Sequence, residues 1–278
     1  MLTTLITYVW YFFAYSFLGW ATEVIFATCV RGGFENRGFL NGPVCPIYGF
    51  GIVAVVLCLN GVRDNFLLLF AGSVVVTSVL ELITGLLMEK LFHHRWWDYS
   101  RMPLNIGGYI CLGFSLIWGL ACVLLIDVIH PIIAGLISHI PSPVSYILLP
   151  VFLLTFLVDI AATSSSVFHL NKNLEEIEKL AAQIHRMSDS IGSVISKSAD
   201  KVYTSEGVQK MKENAEKNLE KNREKYAELK TKLEELTHGV GFIQKRLIKT
   251  FPSMRSTKYA EALERIREDI KTRKMNGK

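Results

Sequence analysis

The sequence lacks the short motifs by which many enzymes of known mechanism are recognised. It contains no GxxxxGK[ST] phosphate-binding loop, no GxSxG nucleophile motif and no HExxH zinc motif. The first absence excludes ATP hydrolysis by that machinery, and the other two exclude common hydrolase mechanisms. We therefore expect a protein that is not an enzyme and that needs no cofactor.

Cysteine is scarce and is not arranged for disulfides or zinc. None of the five cysteines forms a CxxC pair, and all lie in or beside apolar runs: Cys29, Cys45, Cys58, Cys111 and Cys122. We expect them to be reduced and buried. The adjacent His93 and His94 point in different directions on a helix, so no metal site is expected there without a third ligand.

Charge is nearly absent from the first 168 residues. These hold six Lys/Arg and eight Asp/Glu, whereas residues 169–278 hold 24 Lys/Arg and 17 Asp/Glu. This asymmetry excludes a single globular domain and predicts an apolar domain over 1–168 and a charged domain over 169–278. Acids alternate with bases in the second part, so we expect no nucleic-acid partner but solvated helices near an anionic lipid surface.

Five apolar stretches are long enough to span a bilayer, which takes about 20 residues. They are residues 5–29, 44–62, 66–88, 106–129 and 144–168. With the tail in the cytoplasm, the short inside loops carry five bases and the outside segments carry only Arg63, as the positive-inside rule requires. The sequence thus predicts an all-α polytopic protein of the cell membrane, with its N-terminus outside and a cytoplasmic helical, coiled-coil tail.

Within the tail, apolar spacing predicts three helices. An amphipathic helix covers 170–191, a second covers about 206–249, and a last covers about 256–273. The second carries a heptad seam, which predicts a parallel homodimer through Leu229, Leu233, Leu236, Val240, Ile243 and Leu247.

The most unusual stretch is NRGFLNGPVCPIYGFG, residues 36–51. It holds four glycines and two prolines among apolar residues. Such backbone at membrane depth is stable only where protein buries it or water reaches it, so we interpret it as a bent entry into a span on the cytoplasmic side. The predicted hinge residues are Gly42, Pro43, Pro46, Tyr48, Gly49 and Gly51.

Three acids interrupt the spans: Glu23, Glu81 and Asp159. An acid at mid-bilayer is costly and marks an ion or substrate path, or else it accepts hydrogen bonds from a neighbouring helix and only fixes packing. Both interpretations stay open for Glu23 and Glu81, and packing is favoured for Asp159. Asn36 and Arg37 complete the candidate path, with Arg37 pairing with Glu23 or Glu35, although a plain turn is the alternative.

Two further groups are candidates for contacts. A cytoplasmic loop carries the interface candidates Glu89, Arg95, Trp96, Trp97, Asp98 and Tyr99. The preference of Trp and Tyr for membrane interfaces explains its aromatic residues equally well. Span four carries a small-residue face for helix packing, formed by Gly108, Cys111, Ser115, Gly119 and Cys122.

Six segments resemble a known bacterial family. They are FAYSFLGWATE (13–23), NRGFLNGPVCPIYGFG (36–51), ELITGLLMEK (81–90), RWWDYS (95–100), IHRMSDSIG (184–192) and FPSM (251–254). Together they resemble the CmpB-like family described as Putative ABC-transporter type IV. The resemblance implies an integral membrane permease subunit of the inner membrane that is partnered by a separate nucleotide-binding ATPase.

The sequence is therefore consistent with two classes of function. The first is a transport permease, supported by the acids and the Gly/Pro segment. The second is a membrane-anchored scaffold or sensor that recruits partners through its coiled coil, supported by the long tail.

Overall fold

A computed structural model describes residues 2–199 and 207–276, and most of them are helical. Short turns and strand pairs connect the helices. The elements are α1 (Leu2–Arg31), α2 (Pro46–Leu59) with a 3₁₀ turn (Asn60–Val62), α3 (Phe66–Phe92), β1 (His94–Arg95), β2 (Asn105–Ile106), β3 (Ile110–Cys111), α4 (Leu112–Leu124), a π-helical turn (Leu125–Ile129), α5 (His130–Ser138), α6 (Ser142–Ala199), α7 (Gly207–His238), α8 (Phe242–Thr250), β4 (Arg255–Ser256) and α9 (Ala260–Asn276).

The chain divides into two compact units. The first contains Met1–Phe168 and Arg246–Thr257, and the second contains His169–Lys245 and Lys258–Lys278. The division after Phe168 falls where the composition changes. Residues 246–257, which the composition assigns to the tail, belong to the first unit instead.

Four helices are long and apolar enough to cross a membrane. They are Leu2–Val30, Phe66–Phe92, Leu112–Ser138 and Ser142–Ser190. The predicted second span is the shorter apolar helix Pro46–Val62, which at 1.5 Å per residue is roughly 25 Å long. The chain is therefore a helical membrane protein with four candidate spans, and a fifth span through α2 stays a prediction.

The predicted start of span four at residue 106 is wrong. Residues 105–111 form an antiparallel hairpin of β2 and β3, and the helix begins only at Leu112. Gly107 and Gly108 have φ of +59° and +75°, a left-handed backbone that glycine tolerates and a helix does not contain. The small-residue face thus loses Gly108 and Cys111, whereas its other three members are buried on α4.

The core of the first unit joins α1, α2, α3 and α4. It contains Tyr15, Ile52, Val55, Leu69, Cys122, Val123 and Ile126. Gly49 of α2 lies so close to α1 that an added Cβ would meet the Ser16 side chain and the Phe12 backbone. This glycine permits the close helix contact on which packing in membranes depends.

In the tail, two predicted helix boundaries are wrong. The amphipathic segment after residue 170 continues span five in the single helix α6, with Leu170, Leu174 and Ile177 buried. The helix predicted over 206–249 ends at His238, because the chain turns at Gly239–Gly241, and α8 begins at Phe242. A continuous seam from Leu229 to Leu247 therefore does not form, and self-association of the tail stays a prediction.

Candidate functional site

The segment between α1 and α2 is closed by the side chain of Asn36. Its Oδ1 accepts hydrogen bonds from Trp20 Nε1 at 2.8 Å and from its neighbour Gly38 N at 3.0 Å. Its Nδ2 donates to the Asn41 carbonyl at 2.8 Å. An asparagine that uses both ends of its amide in this way fixes the loop, as its short polar side chain commonly does in turns. Asn36 thus has a positioning role in the loop.

The bend ends at Cys45, which donates its backbone N–H to the Ser16 carbonyl of α1 at 2.9 Å. Pro46 is at the start of α2, where the missing N–H costs nothing. Of the predicted hinge residues, only Gly42 and Pro43 lie in the loop. Tyr48, Gly49 and Gly51 lie inside α2, so the hinge is shorter than the composition predicted.

Asp159 of α6 holds the amide side of this loop. Its Oδ2 accepts from Gly42 N at 2.7 Å, and its Oδ1 accepts from Asn41 N at 3.1 Å. The Asn41 side chain and Thr163 also donate to Oδ1, at 2.8 and 3.2 Å. The three bonds from Asn41 and Gly42 to this carboxylate join α6 to the loop.

Arg246 of α8 holds the carbonyl side of the same loop. Its guanidinium donates to Gly38 O at 2.7 Å and to Phe39 O at 2.9 Å, with a longer contact of 3.5 Å to Asn36 O. Thr250, one turn later, donates to Asn36 O at 3.2 Å. Because amides face a carboxylate and carbonyls face a guanidinium, the loop is bound by opposite charges on two different helices.

Glu23 of α1 is paired with the loop and with α2. Its Oε2 lies 3.2 Å from Arg37 Nε, so the structure selects Glu23 rather than Glu35 as the partner of Arg37. Its Oε1 accepts a hydrogen bond of 2.6 Å from the Tyr48 hydroxyl. Tyr48 lies against Gly19, where an added Cβ would overlap the Tyr48 side chain. The close approach of α1 and α2 thus brings the phenol to the carboxylate.

Glu81 of α3 has a matching partner. The Tyr99 side chain interacts with the Glu81 carboxylate, and the Tyr99 ring stacks on Phe114 with centroids 4.9 Å apart. Burial, and then the charge of Glu81, raise the pKa of Tyr99. Tyr48 in turn lies against Trp118 with centroids 5.7 Å apart, so the two tyrosines contact α4 one helical turn apart, at Phe114 and Trp118. We name Glu23, Arg37, Tyr48, Glu81 and Tyr99 the polar cluster.

The loop after α3 supports the cluster through a second ionic group. Arg95 Nε donates to Glu89 Oε2 at 3.0 Å, and the Tyr109 hydroxyl donates to the same oxygen at 2.7 Å. The Arg95 guanidinium also lies 4.6 Å from the centre of the Tyr109 ring, a cation–π distance. Trp97 Nε1 donates to the Tyr109 carbonyl at 2.8 Å. These bonds tie the loop to the hairpin that replaces the start of span four.

Asp98 extends this group toward residues 246–257. It accepts the Ser100 backbone N–H at 2.9 Å and lies 3.5 Å from Arg255 and 3.9 Å from Arg95. The hydrogen bonds from Ser100, followed by the two arginines, hold the pKa of Asp98 below its usual value.

Membrane-interface preference does not explain Trp96. This residue is 4% exposed and lies edge-to-face against Phe39 and Phe251, with centroids 5.1 Å apart in both pairs. It is a core residue between the Gly/Pro loop and residues 246–257. The sequence pattern misses this because it shows an aromatic cluster but not which ring is covered.

The structure thus pairs Glu23 with Arg37 and places Glu81 beside Tyr99, whereas Asn36 and Asp159 hold the adjacent loop. Sequence reasoning missed Arg246, Tyr109 and the partners of both tyrosines. Within the described part of the chain, no three or more His, Cys, Asp or Glu residues are grouped to hold a metal ion.

Comparison with known protein families gives a match. The model of the family described as Putative ABC-transporter type IV matches residues 10–164, a range that contains the polar cluster and Asp159. No curated protein and no solved structure matches the chain.

Proposed function

Because the chain belongs to the family described as Putative ABC-transporter type IV, we propose that it is the membrane-embedded, permease-like subunit of a transporter. A separate ATPase subunit supplies the energy, and this chain has no catalytic activity of its own. The polar cluster takes part in the path of the transported molecule. This proposal confines ATP chemistry to the partner, in keeping with the absence of a phosphate-binding loop.

The observation that carries the proposal is the convergence of Glu23 and Glu81. They lie on two different apolar helices, yet the tyrosines beside them, Tyr48 and Tyr99, pack against Trp118 and Phe114 on one face of α4. Ionisable groups within spans are costly and face a bundle interior or a cavity, so two that converge mark a polar interior. Acids that merely fixed helix packing would not need to meet.

The chemistry of the cluster also suits a path. Glu23 accepts a hydrogen bond from the Tyr48 hydroxyl, and Glu81 interacts with Tyr99; a tyrosine hydroxyl donates one hydrogen bond and can also accept one. A polar or cationic group of the transported molecule can therefore take the place of a tyrosine hydroxyl, and the carboxylate keeps a partner throughout. Arg37 beside Glu23 opposes the entry of a bare cation and favours a solute that also has an acceptor.

The Gly/Pro loop is the candidate gate of this path. It joins the cluster through Arg37 and is held closed by Asp159 and Arg246. Opening would break the hydrogen bonds of the loop to the Asp159 carboxylate and to the Arg246 guanidinium, which makes the loop a suitable element for an ATPase partner to move.

The topology that accompanies this proposal has five spans, with α2 as the shortest. The N-terminus lies outside and the tail lies in the cytoplasm, as the distribution of Lys and Arg predicts. Five spans are few for a complete path, so we propose a homo-oligomer, with the tail helices contributing to its contacts.

The test is co-purification followed by an ATPase assay. The tagged protein is isolated from its native membranes, and any bound nucleotide-binding protein is identified and reconstituted with it in nanodiscs. We expect Glu23→Gln and Glu81→Gln to leave the partner bound while changing its ATPase rate by about tenfold, because they remove charge from the path and not from the docking surface.

Asp64→Asn is the matched control, since Asp64 is fully exposed and lies between α2 and α3. The proposal would be wrong if no nucleotide-binding protein were recovered, or if the two glutamate variants gave the same ATPase rate as this control.

A further inference from the structure

A second polar site lies at the other end of α1. An open cleft of about 360 Å³ is lined by the start of α1, the end of α2 with its 3₁₀ turn, and the start of α5. Glu23 lies nineteen positions after Thr4 of its lining, which along α1 at 1.5 Å per residue is roughly 30 Å. The cleft is therefore distinct from the polar cluster.

Its lining is polar in a part of the chain that is otherwise apolar. Seven of its eight residues carry a hydroxyl, an amide or an imidazole, including Thr3, Thr4, Thr7, Asn60 and His130. A lipid-facing groove between spans needs no such groups, because unpaired polar groups are costly in hydrocarbon. The composition indicates that the cleft accepts a polar ligand.

His130 is positioned at the base of the cleft by a local departure from the α-helix. Its N–H bonds to the carbonyl of Leu125, five residues back, within the π-helical turn that precedes Pro131. Proline clashes with the carbonyl four residues before it, and a wider turn relieves this clash. Such π-turns occur frequently at functional sites.

Two tyrosines orient the His130 ring. Its Nδ1 lies 2.9 Å from the Tyr15 hydroxyl, and its ring lies against Tyr11 with centroids 4.9 Å apart. When the Tyr15 hydroxyl donates to Nδ1 of the neutral ring, the proton is on Nε2. His130 then offers a donor to the cleft.

The charge around the cleft favours an anion. None of the eight lining residues, all within the described part of the chain, is acidic. Arg63 lines a small neighbouring pocket that shares Val56, Asn60 and His130 with the cleft, and its side chain is 48% exposed. Its contact with Asp64 is long, 4.0 Å, and Asp64 is fully exposed, so the guanidinium is available to a ligand.

We propose that this cleft binds a phosphate ester. Arg63 contacts the phosphate oxygens as a two-pronged donor, and His130, Asn60 and the threonine hydroxyls supply neutral donors around it. A neutral polyol would not need the guanidinium, and a cation would need acidic groups that the lining lacks. The ester can belong to a lipid headgroup or to a soluble compound, since both present the same oxygens.

The experiment measures ligand-dependent thermal stability of the full chain in uncharged maltoside micelles. The probes are sn-glycerol 1-phosphate as a soluble ester, dihexanoyl phosphatidylglycerol as a lipid, and glycerol as a neutral control. A ligand that binds the folded state raises the midpoint of unfolding in proportion to the logarithm of its concentration. We expect at least one of the two esters to raise it and glycerol to leave it unchanged.

Two substitutions locate the binding. Arg63→Gln should weaken the affinity for the active ester by about tenfold or more, and Thr4→Val should weaken it less. Both residues are exposed, so neither change endangers folding. Arg101→Gln, an exposed base in the loop between β1 and β2, is the matched control and should have no effect.

A response to the lipid alone supports a headgroup, and a response to the soluble ester alone supports a free phosphate ester. The proposal is overturned if glycerol acts as strongly as its phosphate, if neither ester acts, or if Arg63→Gln binds as well as the unaltered chain.

Discussion

Replacing Arg246 tests whether one tail residue holds the Gly/Pro loop. The change Arg246→Gln removes the donors that bond Gly38 O at 2.7 Å and Phe39 O at 2.9 Å. A hydrogen bond to a charged group contributes about 1.5–3 kcal/mol, so the two short bonds together contribute about 3–6 kcal/mol.

Part of this gain is offset by the cost of removing the guanidinium from water. Burial lowers the pKa of Arg246, which shows that the surroundings oppose its charge, although Asp159 favours it. We therefore expect a net loss of about 2–4 kcal/mol in the free energy of opening the loop. At about 1.4 kcal/mol per factor of ten, the loop should open roughly 30 to 700 times more often.

The assay is hydrogen exchange of peptides covering residues 36–45 in nanodiscs. Arg246→Lys should lie between Gln and the unaltered chain, because an ammonium cannot bond two carbonyls with the fixed fork of a guanidinium. Lys249→Gln is the matched control, since Lys249 lies on the same helix, is exposed and carries the same charge. If exchange in Arg246→Gln were as slow as in Lys249→Gln, the loop would be held by other contacts and this reasoning would be refuted.

Three further results are expected. Gly49→Ala should destabilise the first unit by about 1–3 kcal/mol, because the alanine Cβ would overlap α1. The control is Gly51→Ala, where the space is open, and the midpoint of thermal unfolding should be lower for Gly49→Ala than for this control. Asp159→Asn should speed exchange at Asn41 and Gly42 by about tenfold or more, because the new amide nitrogen faces an N–H donor; equal exchange would exclude the anchor. Because the folded state lowers the pKa of Asp98, this carboxylate stabilises the fold above its unfolded pKa of about 3.8, and the stabilisation is lost as pH falls through the lower folded pKa. Asp98→Asn should remove this part of the pH dependence of stability, which a pH series of unfolding midpoints measures.

The sequence restricted the partner of Arg37 to Glu23 or Glu35 for a physical reason, and the structure selects Glu23. Charge is so scarce in residues 1–168 that a base beside an apolar run has few acids to pair with. An unpaired charge near hydrocarbon is expensive, which restricts the alternatives further. The position of Pro46 at the start of α2 was predictable because proline is tolerated at that end of a helix.

The hairpin before α4 was missed because hydropathy outweighed a turn signal. The segment reads as the start of a span, yet Gly107–Gly108 is a dipeptide typical of a hairpin turn between apolar residues. The break between α7 and α8 was likewise missed because a periodic pattern outweighed a glycine turn signal. Gly239 and Gly241 weakened the seam, but the heptad spacing on both sides favoured one helix over two.

Arg246 could not be found from the sequence. It is one of 24 bases in residues 169–278, and nothing in its local spacing distinguishes it. Its role arises from carbonyls about 208 residues away in the chain, and contacts this distant depend on the tertiary fold. The same holds for Phe251, which looks like an ordinary aromatic residue until its packing against Trp96 is seen.

This distribution changes how the tail must be tested. A deletion of residues 192–278 removes Arg246–Thr257, which belong to the first unit and supply both the guanidinium for the Gly/Pro loop and the Phe251 ring over Trp96. Loss of function after such a deletion would follow from an open loop as readily as from a lost partner. Substitutions on α7, such as Leu229→Ala with Leu233→Ala, leave these contacts in place and separate the recruiting role of the tail from its structural one.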